Sequence, residues 1–120
     1  MLKRIFIILS VIFITFSCNN NEAGEIRESI QLSDDWNFVV DSLDKGDTKK
    51  WYANYPDSLS VPLSVPHTWN VMSGLESYVG TCWYKKNFNV SFAKGQRIYL
   101  YFEAVYRDAE IFFNGCKVGE

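Results

Sequence analysis

The chain has 120 residues, 48% of them apolar and 17% aromatic, and its 14 acidic and 12 basic side chains give a formal net charge of −2. All 14 acidic residues follow Cys18, whereas only 10 basic residues do, so this part of the chain has a net charge of −4. Nucleic acids and anionic membrane surfaces are bound by basic patches. The negative net charge therefore argues against either kind of partner. The aromatic content suits either a β-rich core or a carbohydrate site, and composition alone does not separate these two.

The first 18 residues have the pattern of a secretory signal. Lys3 and Arg4 precede an apolar run from Ile5 to Phe16, followed by Ser17 and Cys18. The run is shorter than the roughly 20 apolar residues that a membrane span needs. A buried N-terminal helix is the alternative, but a run that is apolar on all sides would need a larger protein around it. We therefore expect residues 1–18 to direct export.

Cys18 directly follows the apolar run and is itself followed by three asparagines. This arrangement resembles a bacterial lipoprotein signal, in which the cysteine is lipidated and becomes the new N-terminus. Phe16 departs from the small-residue pattern usual before such a cysteine, and a plain secreted protein is the alternative. We expect a periplasmic or outer-membrane-anchored lipoprotein held on the membrane by acyl chains at Cys18. Residues 19–28 are then a flexible tether.

Residues 29–120 carry several short strand patterns and no helical periodicity. Apolar residues are spaced at Ile26, Ile30 and Leu32 before the turn signal Ser33–Asp35, and they alternate with their neighbours after it and in the later segments. The strand candidates are two segments within 25–40, then 61–65, 83–90, 97–105 and 108–113. Many short strands separated by turn signals predict an all-β sandwich.

Three of these patterns predict where a strand lies in its sheet. Pro62 and Pro66 predict that 61–65 is an edge strand or an extended segment, because proline lacks the ladder donor. Both faces of 97–105 carry bulky residues, so this strand should be central and covered on both sides. Asn114-Gly115 predicts a type I′ hairpin whose return strand begins at Cys116.

The connection from residue 41 to residue 60 is polar except for three aromatic residues, Trp51, Tyr52 and Tyr55. Aromatic side chains in a polar loop should pack onto another surface. Local packing on the sandwich is the simpler interpretation, and contact with a partner domain is the alternative.

The residues that could carry chemistry are few. Glu103 and Glu110 are expected on different strands as solvated side chains and not as a catalytic pair. His67, the one histidine, should fix its loop by hydrogen bonds to the backbone, with ligand contact as the alternative, since no nucleophile is visible nearby. Arg107 and Asp108 suggest a local ion pair or a contact with a partner domain.

Two tryptophans and two cysteines are further candidates. Trp69 and Trp83 could stack on a sugar, although core packing is the simpler interpretation. Cys82 and Cys116 could form a disulfide in an oxidising compartment, and the sequence does not decide whether their geometry allows it. With one histidine and no C-x-x-C motif, neither a zinc site nor any other metal or cofactor is expected.

The stretch from Trp36 to Gly119 resembles the N-terminal sugar-binding domain of glycoside hydrolase family 2. The resemblance rests on motifs that are weak singly and fairly specific together. They are Leu32–Phe38, Val65–Asn70 (VPHTWN), Tyr78-x-Gly80, Trp83-Tyr84-x-Lys86-x-Phe88 and Phe102–Gly119 (FEAVYRDAEIFFNGCKVG). The VPHTWN motif favours the β-galactosidase-like branch over the glucuronidases.

This resemblance implies a jelly-roll sandwich of the galactose-binding-like type, followed in the family by an immunoglobulin-like domain and a (β/α)₈ barrel. The barrel carries the two glutamates of a retaining glycosidase, whose carboxyl groups lie about 5 Å apart. No catalytic residue is therefore expected in this chain, and its substrate-binding residues stay unassigned. Its expected partners are the downstream domains and, through the full-length enzyme, a carbohydrate substrate.

A jelly roll has about eight strands, and the sequence supplies five or six. We therefore expect a sandwich incomplete at its C-terminus and a chain that is a piece of an exported β-galactosidase-like hydrolase, inactive by itself. A non-enzymatic carbohydrate-binding or adhesion module of a surface lipoprotein is the alternative, because fold does not give function.

Overall fold

A computed structural model of the chain describes residues 28–120. This part is all-β apart from two short 3₁₀ turns, Asp57–Leu59 and Trp69–Val71. The strands are β1 (Trp36–Asp41), β2 (Val61–Leu63), β3 (Thr81–Lys85), β4 (Ile111–Phe113) and β5 (Cys116–Gly119). The prediction of an all-β chain is confirmed. The predictions for residues 1–18 and for the tether up to residue 27 lie outside the described residues.

The first sheet has three antiparallel strands in the order β2-β1-β3. Phe38 of β1 lies opposite Val61 on one side and Tyr84 on the other. The segment around Pro62 is thus an edge strand, as its prolines predict, because the proline nitrogen needs no partner there. The central strand β1 has buried residues on both faces, with Phe38 on one and Val39 on the other.

The second sheet is the β4–β5 hairpin. Asn114 and Gly115 between the strands have φ values of 48° and 80°. Two consecutive positive φ angles are what a type I′ turn requires, so the predicted hairpin is confirmed. Its register shifts by one residue between Ile111 and Phe112, which is a β-bulge.

Three strand predictions were too long and one was wrong, and the earlier of the two segments predicted within 25–40 forms no strand over its described residues. The segment predicted over 61–65 ends as a strand at Leu63. The strand predicted over 83–90 ends at Lys85, and the one predicted over 108–113 begins only at Ile111. Among the described residues, 97–105 belongs to neither sheet, although it has the clearest alternation in the sequence.

The alternation within 97–105 is still visible in the side-chain exposure. Ile98, Leu100 and Phe102 are 46%, 37% and 44% exposed, whereas Tyr99 and Tyr101 are 75% and 84% exposed. Period-2 alternation selects two faces, but a strand also needs a hydrogen-bonded neighbour, and neither described sheet supplies one. We refer to residues 98–106 below as the apolar segment.

Within residues 28–120, no helix has the length and apolar character to cross a lipid bilayer.

Candidate functional site

The carboxylate of Asp41, at the end of β1, is buried and accepts three hydrogen bonds. Its Oδ1 accepts the backbone N–H of Lys45 at 2.8 Å, and its Oδ2 accepts the backbone N–H of Gly46 at 2.6 Å and the Trp83 indole N–H at 3.2 Å. Burial alone would raise the pKa of Asp41, but these three donors and the nearby Lys45 ammonium lower it below its ordinary value. The carboxylate therefore closes the turn after β1 and ties that turn to β3.

Gly46 completes this arrangement because it leaves room for the indole. A Cβ atom at Gly46 would lie 2.6 Å from Cζ2 of Trp83, well inside van der Waals contact. The sequence interpretation missed both Asp41 and Gly46. The available signal was an acidic residue at the end of an apolar strand with a glycine five positions later, and this pattern is too common in turns to be specific.

Trp51, Tyr52, Trp83 and Phe112 form an aromatic cluster that joins the 41–60 connection, β3 and the hairpin. Trp51 meets Trp83 edge to face with ring centroids 6.1 Å apart, and Phe112 stacks on Trp83 at 6.2 Å. Tyr52 stacks on Phe112 with ring centroids 4.8 Å apart. These contacts are the local packing expected for Trp51 and Tyr52, and they place Trp83 in packing contacts.

Tyr55 fastens the same connection to the sheet. Its hydroxyl donates to the backbone carbonyl of Asn37 at 2.8 Å, and the Lys85 ammonium lies 5.2 Å from its ring centroid. Burial, with the nearby charge of Asp57, raises the pKa of Tyr55. Lys85 in turn pairs with Asp57 at 2.7 Å. The 41–60 connection is thus built into the fold through its aromatic residues.

His67 packs on the Phe38 face of the first sheet, which is opposite to the face that carries Trp83. Its Nδ1 is 3.0 Å from the Tyr84 hydroxyl, and its ring packs against Phe38 with centroids 5.3 Å apart. The hydrogen bonds to backbone predicted for this side chain are replaced by a side-chain partner, because β3 places Tyr84 across from Phe38. Burial, with a smaller effect of the Cys82 thiol, raises the pKa of Tyr84 to about 12. The histidine therefore has a side-chain hydrogen-bond partner above the core residue Phe38.

Trp69 and Asn70 shape the loop that follows. The indole N–H of Trp69 donates to the carbonyl of Tyr78 at 3.2 Å. The Asn70 amide donates to the carbonyls of Leu75 and Glu76 at 3.2 and 3.1 Å. Both polar groups hold backbone, which is a structural use of the VPHTWN motif.

The structure does not bring the remaining candidates into a site. Glu110 forms an ion pair with Lys117 at 2.5 Å, and Glu103 is exposed in the apolar segment. Both are exposed, as expected, but neither belongs to a strand. Arg107 has a positive φ of 61°, and no ion pair with Asp108 is formed among the described residues.

Cys82 and Cys116 are free thiols. Burial, followed by the charge of Asp41, raises the pKa of Cys82 to about 11, so this thiol is protonated and a poor nucleophile at neutral pH. Within residues 28–120 there is no group of three or more His, Cys, Asp or Glu side chains that could hold a metal ion.

The sequence is similar to parts of several curated glycosidases. A β-glucuronidase of Formosa agariphila is 25% identical over 107 residues, which cover 78% of this chain and 10% of that protein. A β-glucuronidase of Bacteroides fragilis and a β-galactosidase of Thermoanaerobacter pseudethanolicus are each 29% identical over 99 residues. Those two alignments cover 78% of this chain and 12% and 13% of the two proteins.

The chain thus spans between 10% and 13% of the length of these three relatives. No protein-family model matches the sequence, and no solved structure matches it significantly. The comparisons support a glycoside hydrolase-like domain and include both glucuronidases and a galactosidase. The preference for the galactosidase branch therefore stays a prediction.

Proposed function

We propose that this chain is a non-catalytic β-domain of an exported glycoside hydrolase that cleaves β-galactosides or β-glucuronides. The observation that carries the proposal is the similarity to three glycosidases over a small part of each. A short shared region in enzymes of both specificities is typical of a domain that supports the catalytic one. We assign the domain to the N-terminal position of a family 2 enzyme on the sequence motifs that follow Trp36.

The side chains of the described residues agree with a supporting role. A retaining glycosidase needs two carboxyl groups about 5 Å apart in an open cleft, one of them with a raised pKa. Asp41 is buried with a lowered pKa, and Glu110 is held by Lys117. In this proposal the acid/base and the nucleophile belong to another domain of the same polypeptide.

The apolar segment also supports association with more protein. Ile98, Tyr99, Tyr101, Val105 and Tyr106 are each between 46% and 86% exposed, in a single stretch of nine residues. A contiguous exposed apolar patch on a soluble domain marks an interaction surface or an aggregation hazard. We propose that further strands of a galactose-binding-like jelly roll, or the neighbouring domain, cover this segment.

The site of action in this proposal is outside the cytoplasm. The apolar run before Cys18 would direct export, and lipidation of Cys18 would hold the enzyme at a bacterial membrane, where it meets extracellular glycans. Metabolic labelling with an alkyne fatty acid tests this part by itself, since a Cys18→Ser variant should lose the label that the wild-type protein carries.

The proposal is tested on the whole product of the gene. Its coding sequence should continue into a barrel with two catalytic glutamates, and the purified product should hydrolyse 4-nitrophenyl β-D-galactoside or β-D-glucuronide. Replacement of either barrel glutamate by glutamine should abolish turnover. A coding sequence that supplies no further glycosidase domain would refute the proposal.

A further inference from the structure

Asn114 and Gly115, at the tip of the β4–β5 hairpin, combine two features that favour a reaction of the chain with itself. Asn114 is exposed, and it is the one asparagine of the sequence that is followed by glycine. A bulky phenylalanine, tyrosine or valine follows each of the other described asparagines, which are Asn37, Asn54, Asn70, Asn87 and Asn89. Glycine has no Cβ, so its backbone nitrogen is the least hindered nucleophile for the preceding side chain.

The reaction is deamidation through a five-membered succinimide ring. A base removes the proton of the Gly115 N–H, the nitrogen attacks Cγ of Asn114, and the bond from Cγ to Nδ2 breaks. The amide nitrogen takes up protons from water and leaves as ammonia. Water then hydrolyses the ring: cleavage of the new N–Cγ bond gives aspartate, and cleavage of the original peptide bond gives isoaspartate. The co-reactant is water, and no electron is transferred.

The hairpin turn hinders this reaction as long as it is closed. The φ values of 48° and 80° at Asn114 and Gly115 are those of a type I′ turn. In such a turn ψ of the first central residue is about 30°. At this ψ the Cβ of Asn114 and the nitrogen of Gly115 lie on nearly opposite sides of the Cα–C bond, whereas the ring needs them nearly eclipsed. Ring closure therefore requires the turn to open first.

Side-chain contacts with the 41–60 connection and β3 hold the turn closed. Phe112, two residues before Asn114, stacks on Tyr52 and on Trp83 with ring centroids 4.8 and 6.2 Å apart. The turn itself lies against the connection, since a Cβ atom at Gly115 would be 3.6 Å from the Cβ of Ala53. Among the described residues the hairpin pairs with no further strand, so these contacts set how often it opens.

We propose that Asn114 is a self-modification site, which converts to isoaspartate and aspartate while the hairpin is released from the aromatic cluster, and that isoaspartate then keeps the hairpin open. Isoaspartate adds one methylene group to the backbone, so the two-residue type I′ turn cannot form again. The converted fraction thus records how long the hairpin has been open. The inference goes beyond the proposed function, since it holds whether or not a catalytic domain follows.

Incubation of the protein as the cell makes it, in mild detergent at mildly alkaline pH, tests the modification. Trypsin then releases residues 108–117 and 87–94, and mass spectrometry detects the exchange of an amide for a carboxyl group. Electron-transfer fragmentation distinguishes isoaspartate from aspartate. We expect isoaspartate to form at Asn114 at least about tenfold faster than at Asn87 or Asn89, whose next residues are bulky. No isoaspartate at Asn114, or equal rates at the three positions, overturns the proposal.

Synthetic peptides of residues 108–117 give the conversion rate without the fold, and each protein rate is divided by the rate of its own peptide. Phe112→Ala should raise this ratio at least about fivefold, because two aromatic pairs no longer hold the turn. The matched control is Val118→Ala in the same hairpin, where the side chain is 57% exposed. Its ratio should stay within a factor of about two of the wild type. Equal ratios in the two variants contradict control by the cluster.

Urea below the unfolding midpoint gives a second readout that needs no variant. If the turn must open before the ring closes, the rate at Asn114 should rise with urea concentration, relative to the rate of the peptide in the same urea. A ratio that does not change with urea means that the closed hairpin itself reacts, and it overturns the proposal.

The isoaspartate form itself tests whether the modification keeps the hairpin open. Anion exchange separates the converted protein, because a neutral amide has become a carboxylate. The matched control is freshly purified Asn114→Asp, which carries the same charge on a backbone of normal length, and aspartate tolerates positive φ. Limited proteolysis should cut the isoaspartate form within the hairpin at least about fivefold faster than this control, because its lengthened turn cannot close. Equal cleavage rates contradict the proposal.

Discussion

The indole N–H of Trp83 donates to Oδ2 of Asp41 at 3.2 Å, and this contact joins two neighbouring strands and the connection that follows the first of them. The same carboxylate closes the turn to Lys45 and Gly46, while the same indole stacks on Phe112 of the hairpin. Two side chains thus link both sheets of the described part of the chain.

Replacing Asp41 by alanine should destabilise the fold more than any exposed substitution. Three buried or half-buried donors lose their acceptor, and unsatisfied donors of this kind cost about 1–3 kcal/mol each when they stay dry. We expect a loss of about 2–4 kcal/mol in the free energy of unfolding, because water will reach part of the site. Urea denaturation of the wild type and the variant measures this difference in the free energy of unfolding. Asp47→Ala in the same connection is the control and should stay within about 0.5 kcal/mol.

The Asp41 carboxylate should also make stability depend on pH. Its pKa is lowered on folding from an ordinary value of 3.8, so the unfolded chain binds the proton more tightly. The contribution is fully present above that value and is lost as the pH falls through the lower pKa of the folded protein. Urea midpoints between pH 5 and pH 2 should decrease more steeply in the wild type than in Asp41→Asn. Parallel curves would contradict this role.

Gly46→Ala should be costly, although alanine is usually the mildest replacement of glycine. The new Cβ would overlap the Trp83 indole, so the ring must move away from Asp41 and Phe112. We expect a loss of about 1–3 kcal/mol, as for other overpacked sites. Gly119→Ala is the matched control, since its Cβ would meet Ile111 at an ordinary 3.5 Å. Similar denaturation midpoints for the two variants would mean that the ring is not confined as the structure describes.

Phe112→Ala should release the β4–β5 hairpin from the aromatic cluster. The side chain contacts both Tyr52 and Trp83, and its loss removes two aromatic pairs of about 0.5–1.5 kcal/mol each in addition to its buried area. Limited proteolysis should then cut within the hairpin much faster than in the wild type. Val118→Ala, in the same hairpin but 57% exposed, should leave the cleavage rate unchanged. Equal cleavage rates in the two variants would show that the cluster does not hold the hairpin.

Residues 19–120 expressed by themselves should be poorly soluble or partly unfolded, because the apolar segment is exposed among the described residues 28–120. Replacing the exposed Tyr99 and Tyr101 by lysine should reduce aggregation in light scattering, whereas the same change at Ser91 and Gln96 should not. A soluble monomer of residues 19–120 with a cooperative thermal melt would refute this expectation.

Local patterns predicted the elements that depend on neighbours in sequence. Asn114-Gly115 predicted the turn, Pro62 predicted an edge strand, and the alternation from Trp36 predicted a strand, whose central position in the first sheet was not foreseen. The strand over 97–105 was wrong, because alternation does not say whether another strand is present to complete the hydrogen bonds.

The contacts of the site join positions that are far apart in sequence, and local patterns do not predict them. Asp41 and Trp83 are 42 positions apart, and no local pattern pairs an acidic residue with an indole at that separation. For His67, the local proline and threonine suggested a backbone partner, whereas the register of β3 supplies Tyr84. Packing decides such pairs, and periodicity does not contain that information.

The most direct test of the central claim compares turnover by the 120-residue chain with turnover by the whole gene product, on 4-nitrophenyl β-D-galactoside and β-D-glucuronide at equal molar concentration. We expect hydrolysis of at least one substrate by the whole product and a rate equal to the buffer blank for the 120-residue chain. Turnover by the 120-residue chain that co-purifies with it through two chromatographic steps would contradict the claim that its catalytic groups lie in another domain.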